Sequence, residues 1–124
     1  KLRKIYFTDL GIRNALLNDF KPLELRNDVG VLWENFCVIE RLKFIQSQNM
    51  RVQSFYWRNS DKREVDIIEE EGGVLRAFEC KYSPKKQPKP PIDFTRNYPN
   101  ASFSVISPNN FTESLLSGSQ YKLF

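Results

Sequence analysis

The sequence predicts one domain built on a β-sheet with helices packed against it, of α/β or α+β class. Three observations lead there. Elements come in the order helix, helix, three consecutive strands, helix, strand. Residues 64–81, EVDIIEEEGGVLRAFECK, read as two strands divided at Gly72-Gly73. The chain has 124 residues, 40% hydrophobic and 27% charged, which suits one globular domain of ordinary size.

Residues 3–8, RKIYFT, read as a short strand or lead-in. Thr8 or Asp9 can cap a helix running to about Asn18, with Leu10, Ile12, Leu16 and Leu17 as its apolar residues. Phe20-Lys21-Pro22 ends it. A second helix is expected from about Asp28 to Gln48, burying Val31, Leu32, Phe36, Val38, Ile39, Leu42 and Ile45. Residues 51–58 form an aromatic-rich strand, and Asn59-Ser60-Asp61-Lys62 a turn. The hairpin strands follow at 64–70 and 74–82. Four prolines and three lysines make 83–91 an extended, exposed segment. A short helix is expected at 91–97, a strand at 101–107, a weak helix at 111–116 and a last strand at 120–124.

Composition narrows the chemistry. There is no histidine, so serine–histidine and cysteine–histidine catalysis and histidine-bearing zinc sites are excluded. What remains is carboxylate, lysine, or water on a hard cation. Cys37 and Cys80 make neither a disulfide framework nor a zinc spacing. The net charge of +4 mildly favours a polyanionic partner. No apolar run reaches membrane-spanning length and no signal peptide opens the chain, so a cytoplasmic protein without membrane contact is expected. The chain opens on Lys1 and has no P-loop, which reads as a piece of a longer protein or a processed terminus.

Placing Gly72-Gly73 at the centre of the hairpin turn sets the register. Glu71 pairs with Val74, Ile68 with Ala77, and Asp66 with Glu79. Lys81 lies on the face of Glu79, Asp66 on that of Glu64 and Ile68, and Cys80 points to the opposite, buried side. Carboxylates directly opposite one another destabilise a sheet. On the long helix Glu34 borders the apolar face and aims at the sheet, while Glu40 faces water. Glu34, Asp66, Glu79 and Lys81 could therefore converge on a hard divalent ion. Asp66, Glu79 and the Cys80 backbone carbonyl would be its oxygen ligands and Glu34 a supporting one. Lys81 would orient water or stabilise charge on a phosphodiester. The alternative is a solvated sheet face, with Lys81 paired to Asp66 or Glu64 and no metal.

Asp on one strand and Glu-x-Lys on the next, after a helix bearing a glutamate, resembles the PD-(D/E)xK nuclease superfamily; the matching residues are Asp66, Glu79, Lys81 and Glu34. The resemblance implies a restriction-endonuclease-like mixed sheet flanked by helices and Mg²⁺- or Mn²⁺-dependent phosphodiester hydrolysis. Position 65 is valine, so the proline of the motif is missing. A longer likeness runs from Tyr6 to about Tyr82, through YFTDLGIRNALL, LELRNDVGVLWENFCVIERL, FYWR, EVDII and FECKY. It resembles the C-terminal domains of prokaryotic P-loop ATPases of the AAA+ type. That likeness implies an ATPase domain preceding this one as the only route to ATP, DNA as a partner, and room for a homo-oligomer. It leaves open a non-catalytic DNA- or protein-interaction module coupled to the ATPase.

Overall fold

The structure, a computed structural model, describes residues 4–84 and 86–116. The centre is a four-stranded mixed sheet in the order β1 (Gln53–Arg58), β2 (Glu64–Glu71), β3 (Val74–Cys80), β4 (Ser102–Ile106). The first three strands form an antiparallel meander, and β4 lies parallel to β3. The hairpin turn is as the sequence predicts. Gly72 and Gly73 have φ of 58° and 83°, the left-handed pair that a tight two-residue turn requires. Gly73 N–H donates to Glu70 Oε2 at 2.6 Å, fixing the turn. The 120–124 strand lies outside the described residues.

Helix α2 (Val29–Ser47) covers one face of the sheet together with α4 (Phe111–Leu115). Cys37 and Leu115 pack there on Ile67, Phe78, Cys80 and Ile106. Helix α3 (Ile92–Asn97) covers the other face, where Phe94 packs on Val65, Ile68 and Ala77. Trp57 meets Phe94 edge to face, with ring centroids 5.6 Å apart. Its strand is therefore an edge strand whose aromatic still serves the core.

Two expectations from apolar periodicity are corrected. The buried stripe of α2 is Leu32, Asn35, Cys37, Arg41 and Ile45, while Val31 and Leu42 are exposed. Polar residues displace apolar ones because each finds buried partners. Arg41 bonds Glu69 with both Nε and Nη2, at 2.6 and 2.9 Å. Asn35 takes both backbone groups of Phe7, at 2.9 and 2.6 Å. That clamp also explains why the described part of the predicted 3–8 strand makes no strand pairing: a side chain supplies the bonds a neighbouring strand would. Helix α1 (Leu10–Leu17) is capped by Asp9, whose Oδ1 accepts from Gly11 N–H at 2.7 Å. It buries none of its residues, and Ile12, Leu16 and Leu17 are exposed. It is tied down by charge instead. Arg13 and Arg26 both bond Asp28, at 3.1 and 2.8 Å, and the Arg26 hydrogen bond holds the Asp28 carboxyl well below the usual carboxylate range.

Candidate active site

The site begins with a β-bulge. Phe55 pairs with Ile68 and Trp57 with Val65, so Tyr56 alone faces both Asp66 and Ile67. The extra residue breaks the alternation of β2. Val65 and Ile68 then share the α3 side, and Ile67 turns to the α2 side. Asp66 is carried with Ile67 into a small apolar cavity of about 240 Å³ beside Val38 and Arg41. This corrects the expectation that Asp66 and Ile68 share a face, since strict period-two counting cannot see a bulge.

The expected pairing of Asp66 with Glu79 is corrected by the same distortion. The β2–β3 ladder follows the predicted register from Glu71–Val74 to Ile67–Phe78 and stops one step short. Instead, Asp66 Oδ2 accepts the Cys80 backbone N–H at 2.8 Å. The carboxylate is thereby fastened to the strand that carries Glu79. Lys81 follows directly, its N–H donating to Ile106 O at 2.9 Å. Trp33 Nε1 donates to the same carbonyl at 3.0 Å, locking the end of β3 to β4 and α2.

Glu34, Asp66, Glu79 and Lys81 line one open cleft of about 530 Å³ at the end of the sheet. Lys62, Arg63 and Glu64 from the β1–β2 connection and Pro88, Lys89 and Pro91 from the proline-rich segment complete it. Apart from buried Pro91, that segment is largely exposed, as its composition predicts. Burial first, then the neighbouring Glu34 charge, pushes the Asp66 carboxyl up to about 6, against the Cys80 N–H that pulls the other way. Burial likewise raises Glu79, although Lys81 and Arg63 oppose it.

Glu34 is placed as predicted, on the sheet side of α2, with Glu40 outward and paired to Lys43 at 2.6 Å. Its role differs. Lys4 Nζ donates to Glu34 Oε2 at 2.8 Å and Tyr6 Oη donates to the same oxygen at 2.6 Å. Lys4 also reaches Glu64 Oε1 at 2.8 Å. Among the described residues no three carboxylate or thiol groups stand close enough to hold one ion together. Glu34, the expected supporting ligand, has its Oε2 engaged by Lys4 and Tyr6. Asp66 and Glu79 both line the cleft, and Mg²⁺ commonly takes one or two carboxylates and completes its shell with water. Two carboxylates held above their ordinary range, with no ion-pair partner among the described residues, fit such a cation. The salt-bridged alternative finds no support, because Glu64 pairs with Lys4 and Arg58 while Lys81 makes no ion pair among the described residues.

Sequence reasoning missed Lys4, Tyr6 and Arg63. Only Lys4 could have been guessed, as a basic residue in the lead-in segment; nothing local says which carboxylate it meets. Cys80 is buried on the α2 side as expected, and its hydrogen bond with Cys37, together with burial, raises its thiol. Among the described residues no helix is long and apolar enough to cross a membrane. No curated protein and no solved structure matches the chain. One family model does, over residues 29–120, which take in α2, the whole sheet and every cleft residue named above. The chain belongs to the family described as Domain of unknown function (DUF4143).

Proposed function

We propose that this is a nuclease-like domain of the restriction-endonuclease-like kind, acting on DNA by Mg²⁺- or Mn²⁺-dependent phosphodiester hydrolysis, or binding it at the same cleft. One observation carries the reading: the under-compensated carboxylates Asp66 and Glu79 share their cleft with cations that make no ion pair among the described residues. Lys62, Arg63, Lys81 and Lys89 line it, and none makes an ion pair among the described residues. Elsewhere Arg13, Arg26, Arg41 and Arg76 are each paired to carboxylates. A cleft with an acidic floor and cations at its walls suits a polyanion whose charge is bridged to the floor by a cation.

In this reading Asp66 and Glu79, with the Cys80 carbonyl, hold the ion. When bound, the ion would polarise the phosphodiester and strengthen water as a nucleophile. Lys81 sits two residues beyond Glu79 and stabilises charge developing on phosphoryl oxygen. Lys62, Arg63 and Lys89 contact flanking phosphates. We further place the domain in the cytoplasm, as the C-terminal part of an ATP-binding chain, with ATP bound only by its P-loop domain.

A second reading has its own observation. Leu16, Leu17, Phe20, Leu23 and Leu25 expose a run of large apolar side chains around α1 and the adjoining turn. That surface favours a non-catalytic module docking a protein, the ATPase domain first among candidates. Assay of the full-length protein on linear, nicked and branched DNA, with and without ATP and Mg²⁺, separates the two. Cleavage abolished by Asp66→Asn and by Glu79→Gln supports the nuclease. Absence of both cleavage of DNA and binding of it at the cleft, under all of these conditions, overturns it in favour of the module.

A further inference from the structure

The carboxylates of the cleft fall into two groups that are treated differently. Glu34 and Glu64 share one ammonium, Lys4 Nζ, at 2.8 Å each. Asp66 and Glu79 share none among the described residues. The ammonium is well saturated: its two carboxylate bonds are joined by the face of Tyr56, 5.1 Å from nitrogen to ring centroid. Glu34 Oε2 is saturated too, accepting Lys4 at 2.8 Å and Tyr6 at 2.6 Å, two charge-assisted bonds for its two lone pairs. Nor is Lys4 a loose surface side chain. Three residues on, Phe7 is held by Asn35 through both its N–H and its carbonyl. The segment is therefore already ordered where the bridge forms, and little further chain entropy opposes it.

We propose that Lys4 is a built-in counter-cation that takes the place of a second divalent ion. The cleft then binds a single ion, at Asp66 and Glu79, while Glu34 and Glu64 are withheld from it. Lys4 acts as a positioning residue: it holds two carboxylates in place without touching substrate. Charge makes the division economical. One divalent ion matches Asp66 and Glu79, whereas a second would have to displace an ammonium that already makes two short bonds. This rests on the reading of Asp66 and Glu79 as ion ligands.

The test counts ions and needs no turnover. The chain is titrated with Mn²⁺ alone in metal-free buffer at neutral pH, by calorimetry and by paramagnetic resonance of free Mn²⁺. Wild type is expected to bind one ion and Lys4→Ala two, the second lost again in Lys4→Ala/Glu34→Gln. Lys4→Gln, which keeps a donor group but not the charge, is expected to match Lys4→Ala, and Lys4→Arg to match wild type. Near-ultraviolet dichroism verifies that each variant is folded. Two ions in wild type, or one ion in folded Lys4→Ala and Lys4→Gln, overturns the assignment of Lys4. A single wild-type ion that persists in Asp66→Asn overturns the ligand reading instead. No ion in wild type or in either variant overturns both.

Discussion

Strand β2 carries two carboxylates three residues apart that the fold treats in opposite ways. Glu69 is completely buried, yet Arg41 reaches it at 2.6 Å and Arg76 at 3.2 Å. Arg76 is shared onward with Glu71 at 2.9 Å. Asp66, in the bulge, is partly buried, has one backbone N–H, and has no ion-pair partner among the described residues. A fold able to supply two guanidinium groups to Glu69 evidently does not require Asp66 to be unpaired. The difference separates a charge that serves the architecture from one left available to a ligand, since perturbed and under-compensated groups gather at functional sites.

The largest break of this comparison is on the architectural side. Glu69→Ala leaves the Arg41 guanidinium buried without its carboxylate, though Arg41 keeps its bond to Leu115 O at 2.9 Å. Removing one partner of a buried pair typically costs about 3–5 kcal/mol. Urea denaturation should show a loss of that order. A loss below about 1 kcal/mol would mean that the pair is not what holds α2 to the sheet.

The opposite sign is expected three residues upstream. Asp66 is held up to about 6 in the folded chain, against an ordinary value of 3.8. It therefore binds its proton more tightly folded than unfolded, and stability is lost as pH rises from about 4 to about 6. Asp66→Asn keeps an oxygen for the Cys80 N–H and removes the charge. Without divalent ions it should be more stable than wild type by roughly 3 kcal/mol above pH about 6, with the two chains converging below pH about 4. Paired denaturation curves across that window check this. Equal stability at all pH values would place Asp66 with Glu69 as a satisfied structural charge.

How much of this was legible follows from which forces are local. The hairpin, its glycine turn and the ladder down to Ile67–Phe78 could be read because turn chemistry and period two are local rules. The strand position of Glu79 and the sheet-facing placement of Glu34 came with them, although the strand ends at Cys80 and leaves Lys81 just beyond it. The bulge at Asp66–Ile67 was not legible, because its cause is a mismatch with β1 and not a residue type in β2. The Arg41–Glu69 pair was hidden for a related reason: a charged residue on an apolar stripe reads as a border position until its partner, 28 residues away, is brought alongside. Lys4 meets Glu64 across 60 residues, and no periodicity carries that distance.

The smallest effect concerns the cations, where the same contrast recurs between Arg76 and Arg63. Arg76 spends its guanidinium on Glu69 and Glu71, whereas Arg63 is exposed, lines the cleft and makes no ion pair among the described residues. If the cleft binds DNA, only Arg63 is free to replace a counterion on a phosphate. The logarithm of affinity falls with that of salt by about 0.9 per neutralised phosphate. In an Asp66→Asn background, which on the proposed function does not cut, Arg63→Ala should lower that slope by about 1 and weaken binding similarly across sequences. Arg76→Ala should leave the slope unchanged while reducing stability. Fluorescence anisotropy with a labelled duplex at several salt concentrations reads both. Equal slopes for Arg63→Ala and wild type would place the phosphate path elsewhere, and a change with Arg76→Ala would erase the distinction between paired and available charge.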